Sequence, residues 1–143
     1  MALMRRVNLL MIDELVARLR AAGYNDVTAA HHVVFENIDA TGTRLTVLAQ
    51  RAGLTRQSTT ELVSTLERNG YLEIRRDSTD GRARLAVLTR AGRHLVRIAM
   101  THISAIEVEW QEKLGRAGLN TSLRASLERA LATSETHGRA ADL

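Results

Sequence analysis

Arginines and short hydroxyl side chains are the residues of this chain whose spacing suits chemistry. Arg56, Gln57, Thr60, Glu61 and Ser64 fall on the polar side of a segment whose other side is Thr59, Leu62, Val63 and Leu66, with Ser58 in its first turn. Shortly after, Asp80-Gly81-Arg82 stands between two alternating runs that carry Arg75 and Arg84. Such residues suit a polyanion with readable edges. Arginine forks pair with phosphate or with guanine O6 and N7, and glutamine pairs with adenine N6 and N7. A hydroxyl at a helix start, with the free amides of the first turn, holds a phosphate. Ser58 and Thr43 are placed for that. An arginine at a hairpin tip suits a narrow minor groove.

Other chemistries find little support. The five histidines (His31, His32, His94, His102, His137) suggest no zinc site on a shared helix face, and no metal is expected. No serine–histidine–acid set, paired carboxylates or glycine-rich phosphate loop stands out, so neither an enzyme nor a cofactor is expected. Cysteine is absent, which excludes disulfides, thiolate metal sites and a thiol redox switch.

The chain has 143 residues, 45% hydrophobic and 25% charged, enough for one domain or a small domain with helical extensions. Its only aromatics are Tyr24, Phe35, Tyr71 and Trp110, so Leu, Val, Ile and Ala must build the core. Net charge is +4, and every basic residue except Lys113 is arginine. A GC-rich coding sequence also raises arginine content. Distribution argues more strongly: Arg75, Arg76, Arg82, Arg84, Arg90, Arg93 and Arg97 face only Asp77 and Asp80 over the same stretch. The longest runs without charge are nine residues, Val27–Phe35 and Ile98–Ile106, whereas a membrane helix needs roughly 20. Arg5-Arg6 before Val7–Ile12 is a weak likeness of an export signal, interrupted by Asn8, Asp13 and Glu14. A cytoplasmic protein without membrane contact is expected.

Periodicity supplies the elements that must position these residues. Leu3, Val7, Leu10, Met11, Leu15 and Leu19 predict a helix over 3–22, ended by Gly23. Thr28 caps a second helix from Ala29 to about Ile38, and Thr43 a third from Arg44 to Ala52. After Gly53, Thr55 caps a fourth from Arg56 to Asn69, which Gly70 ends. Leu72 to Arg75 and Arg84 to Val87 then alternate as a hairpin around residues 77–83. Thr89 caps a long helix, Ala91 to Leu114, with the stripe Val96, Ala99, Ile103, Ile106, Trp110 and Leu114. Gly115 and Gly118 break it, a helix with Leu123, Leu127 and Leu131 follows, and the tail after Thr133 is expected to fray. The fold class is mainly α with a small β-hairpin wing, a winged helix-turn-helix. Each piece has a plainer reading: a solvated helix face, or a turn flanked by solubilising charge.

From about Thr28 to the end of the long helix the chain resembles the MarR family of bacterial transcription regulators. The resemblance rests on Leu54-Thr55-Arg56-Gln57-Ser58, Leu66-Glu67-Arg68-Asn69-Gly70-Tyr71, Asp80-Gly81-Arg82-Ala83-Arg84-Leu85 and Leu88-Thr89. It implies a homodimer with one winged helix per subunit reading double-stranded DNA, expected to act as a repressor, and an Asp80 that orients Arg82 toward the minor groove. It also implies a small aromatic or phenolic effector. Met11, His31, Phe35 and Trp110 are conceivable lining for it, though each is equally explained as core, so the effector site stays unknown. Ala29 and Ser78 stand where proline is common in such proteins, which bears on loop geometry.

The long apolar faces at both chain ends exceed what a small winged core covers, an independent reason to expect dimerisation. The expected division is 28–89 as the winged helix-turn-helix, with 1–27 and 90–143 as a helical dimerisation region. A two-fold pair sets its reading helices roughly 34–36 Å apart, which suits a palindromic operator. A winged helix used only for protein–protein assembly is the alternative, but it has no need of Arg82 at a tip or Arg56 at a helix start.

Overall fold

The computed structural model describes residues 2–119 and 121–140, with side chains through residue 132. It divides into two compact units, Met1–Ile103 and Ser104–Leu143. Each is described by itself.

In the first unit, α1 (Ala2–Ala21) buries Leu15, Val16 and Leu19 from its second half. It packs on α2 (Ala29–Asn37), which in turn packs on α3 (Leu45–Ala52) and α4 (Arg56–Arg68). The expected inward stripe of α4 is present, with Thr59, Val63 and Leu66 buried and Leu62 half-buried. Val34, Leu48, Val63, Leu66, Leu72, Ala86 and Leu95 are the innermost side chains. Burying each large one stabilises by roughly 1.5–3 kcal/mol. Tyr71 joins this aliphatic core to the few aromatics, meeting Phe35 edge-on at 6.4 Å and Tyr24 at 6.5 Å between ring centroids.

Alternation after Gly70 becomes strands β2 (Leu72–Arg76) and β3 (Arg84–Leu88), paired antiparallel with Leu72 opposite Leu88 and Arg76 opposite Arg84. A third strand was not foreseen. Thr43–Arg44, here β1, pairs with β3 through Thr43–Ala86 and Arg44–Leu85, giving the order β1-β3-β2. Thr43 therefore does not cap α3; Arg44 occupies the cap position, in extended conformation. A two-residue strand has no alternation to read, so sequence periodicity could not reveal it.

The long helix α5 (Arg90–Arg116) begins in this unit. Thr89 caps it, accepting from Gly92 N at 3.0 Å. Gly115 does not break α5, which continues to Arg116, and Gly118 at φ +96° follows. A single glycine in a helix costs only about 1 kcal/mol relative to alanine, too little to force an end. Of the expected stripe only Ile106 is fully buried; Gly92 and Leu95, outside that stripe, are buried as well.

In the second unit, α6 (Leu123–Ala140) follows the remainder of α5. Arg124 Nη2 lies 2.6 Å from Glu107 Oε1, and Gln111 accepts from Leu123 N at 2.9 Å. Lys113 sits over the Trp110 ring at 5.1 Å. Leu127 and Leu131 are exposed. Helix α6 continues past Thr133 to Ala140; the side chains from 133 on, and residues 141–143, lie outside the described residues.

Candidate nucleic-acid interface

Gly53 makes the turn between α3 and α4. It closes α3 at φ +63°, where a Cβ is disfavoured, and Leu54 N then reaches back to Ala49 O at 3.0 Å. Ala49, buried beneath, keeps the two helices close. Thr55 caps α4, its Oγ1 accepting from Ser58 N at 3.1 Å, a contact worth about 0.5–2 kcal/mol. Ser58 Oγ lies 2.9 Å from the same oxygen, so its hydroxyl is shared with the cap. The Arg56 and Gln57 amides have no protein acceptor among the described residues, leaving two donors at the positive end of the helix.

Beyond this start, α4 exposes Arg56, Gln57, Thr60 and Glu61, while Ser64 is half-buried. Arg56 has no protein partner among the described residues. Thr60 Oγ1 donates to Arg56 O at 2.8 Å, so the methyl and the oxygen lone pairs are what it offers outward. Gln57 Nε2 donates to Glu61 Oε1 at 3.1 Å.

Downstream, Glu67 at the end of α4 accepts from Ile74 N at 3.0 Å and so binds this helix to β2. The loop from Asp77 to Ala83 is organised by two aspartates. Asp77, buried, accepts from Thr79 N at 2.8 Å, Thr79 Oγ1 at 2.7 Å and Arg44 Nε at 2.6 Å. These bonds, those from Thr79 foremost, hold its carboxyl down to about 2. Asp80 accepts from Arg82 N at 3.1 Å, and its carbonyl from Ala83 N at 2.8 Å. The carboxylate thus shapes the backbone that carries Arg82 rather than gripping the guanidinium. Arg82 itself is exposed and without a protein partner among the described residues.

Arg76 and Arg84 stand directly opposite each other where the wing leaves the sheet, both exposed. Like charges in that relation repel, and no described carboxylate relieves them. Arg75, singled out from the sequence, lies on the other side of β2 and is paired with Glu73. Arg76, which shares the face of Leu72 by strand parity, was not among the residues singled out from the sequence.

Thr43 also departs from expectation. It is 3% exposed, and its hydroxyl donates to Asp39 Oδ2 at 3.0 Å while accepting from Asp39 N at 2.8 Å, so it is not presented to a phosphate. Arg51, 2.9 Å from Asp39, completes that cluster and, ahead of Thr43, lowers the Asp39 pKa.

His31 is buried and accepts from Thr28 N at 3.3 Å; burial lowers its pKa against the opposing pull of Asp26. Asp26 also accepts from the Tyr71 hydroxyl at 2.8 Å, and burial with that bond pushes the phenol up to about 12. Of the conceivable effector-lining residues, His31 and Phe35 are thus used within the first unit's own packing, Met11 is half-buried there, and Trp110 belongs to the second unit. His32 does have a carboxylate one turn on, Glu36 Oε2 at 3.8 Å, a pairing passed over in the sequence. No group of three or more metal-ligating side chains occurs among the described residues. No helix among them is long and apolar enough to cross a membrane.

A capped helix following a tight turn, backed by a three-stranded sheet whose hairpin ends in free arginines, defines a winged helix-turn-helix. A MarR family model matches residues 25–83, so this segment is similar to the winged helix of that family. The fold extends the likeness over most of the chain. A MarR-family transcriptional regulator from Rhodococcus sp. RHA1 superposes with a TM-score of 0.71 at 21% identity, covering 90% of this chain and 86% of that one. BpsR from Bordetella bronchiseptica, whose DNA binding is regulated by 6-hydroxynicotinic acid, gives 0.66 at 22% identity, covering 94% and 96%. The PcaV transcriptional regulator of Streptomyces coelicolor, solved with its natural ligand, gives 0.57 at 26% identity, covering 85% and 89%. Comparison with curated proteins gives no match.

Proposed function

We propose that the chain is a dimeric, sequence-specific reader of double-stranded DNA that represses transcription from a palindromic operator. The observation that carries this reading is the set of unpartnered guanidiniums on the wing, Arg76, Arg82 and Arg84, beside a capped helix whose first amides are free. Repulsion between Arg76 and Arg84 is relieved when a phosphate lies between them. Arg56 and Gln57 then face base edges, with Ser58, Thr60 and Ser64 beside them.

Dimerisation is part of the proposal. Leu3, Met4, Leu9 and Leu10 at one chain end, and Val108, Leu127 and Leu131 toward the other, are exposed. Stripes of this kind favour burial against a second copy, so the helices outside 28–89 form the dimerisation region. A small aromatic acid as the relieving effector is supported by BpsR, whose DNA binding responds to such a compound.

The test is binding to duplexes from the promoter region of its own gene over a range of salt. A reader loses affinity with a log–log slope near −0.9 for each phosphate neutralised. Equal, weak and salt-insensitive association with all duplexes would leave the assembly module as the better account. Hydroxylated aromatic carboxylates, titrated into the complex, should release the DNA if one serves as effector.

A further inference from the structure

We propose that Glu61 filters base identity on the reading helix: its carboxylate accepts from the exocyclic amine of cytosine next to the base that Gln57 reads, and rejects guanine and thymine there. The inference rests on the DNA-reading proposal above. Gln57 and Glu61 are exposed one helical turn apart, on the side opposite Thr59, Val63 and Leu66. The 3.1 Å bond from Gln57 Nε2 to Glu61 Oε1 already sets the two side chains together in the free protein. Gln57 retains its own carbonyl oxygen and one amide hydrogen, the donor–acceptor pair that adenine N7 and N6 match. Glu61 retains its second carboxylate oxygen, and no cation pairs with it among the described residues.

An unneutralised carboxylate is a poor neighbour for a polyanion. The other exposed groups on this helix start, Arg56 and Thr60, are cationic or neutral. A carboxylate among them lowers affinity for every duplex alike. What it contributes instead is discrimination. Guanine presents O6 and N7, and thymine O4, all acceptors that a carboxylate repels; cytosine presents the N4 amine, and adenine sets an acceptor beside its amine. A repulsive element of this kind separates partners that an attractive contact alone would not.

Glu61→Gln tests it, because the amide keeps the length and still accepts from Gln57 while the charge is gone. Purified wild type and variant are each used to select from a pool of randomised duplexes, and each is titrated with one random-sequence duplex at low salt. The variant should bind the random duplex more tightly and lose about tenfold preference for cytosine at one operator position, with an unchanged melting temperature. A wild type that selects a sequence, joined to a variant with the same profile and the same random-duplex affinity, overturns the filter alone. A wild type that selects nothing and binds no duplex overturns the DNA-reading proposal, and the filter with it.

Discussion

Arg44 Nε lies 2.6 Å from Asp77 Oδ2, tying the residue that precedes α3 to the root of the wing loop 33 positions later. Thr79 closes the cluster, donating to Asp77 and accepting from Arg44 Nη2 at 3.2 Å. The helix-turn-helix and the wing are therefore held in one frame by a buried carboxylate, besides the strand pairing of β1 with β3.

Asp77→Asn should loosen that frame and lower thermal stability. An aspartate depressed from its ordinary 3.8 to about 2 contributes stability that is full above the ordinary value and is lost as pH falls toward 2. Melting curves of wild type and variant should thus differ by a constant amount near neutrality and converge in acid. A gap that persists undiminished to pH 2 would show that the charge is not what matters.

Arg82→Ala should weaken duplex binding while leaving the fold intact, since its side chain is exposed and makes no hydrogen bond or ion pair with another described residue. The log–log salt slope should become shallower by about one unit if the guanidinium displaces counterions. Unchanged affinity for the operator would remove the wing from the interface.

Gln57→Ala should relax base preference at one position by roughly 1–3 kcal/mol. Competition between operator duplexes differing at single positions measures this directly. A uniform loss across all of them would mark Gln57 as a backbone contact instead.

Gly92→Ala should destabilise. A Cβ there would come 2.1 Å from Tyr71 O and 3.1 Å from Leu88 Cδ2, so α5 must shift off the sheet. Overpacking of this kind costs about 1–3 kcal/mol, readable by chemical denaturation. Wild-type stability in the variant would mean that the helix start tolerates displacement.

Leu10→Glu should produce monomers in sedimentation without unfolding the first unit. Leu10 is 49% exposed, whereas the core of that unit takes Leu15, Val16 and Leu19 from the same helix. A variant that remains dimeric would place the subunit contact elsewhere.

Much of the fold was legible because helices and hairpin strands write themselves locally. Thr28, Thr55 and Thr89 each stand at the helix start where their type placed them, and Gly70, at φ +77°, ends α4. The polar face of α4 followed from the 3.6-residue period alone, and so did the exposure of Arg56, Gln57 and Thr60. Gly115 misled because a glycine permits a helix end without compelling one.

Local pattern thus settled the order of elements, the polar face of α4 and the arginine-bearing hairpin, since each depends on side-chain period and cap chemistry within a few residues. Partnerships between distant segments escaped it. Thr43 is a strand residue paired with Ala86, and Arg44 is bound to Asp77, two relations that cap chemistry and period cannot show. Which arginine is neutralised and which stands free depends on what the folded chain brings within about 3 Å of it, and no spacing along the sequence encodes that distance.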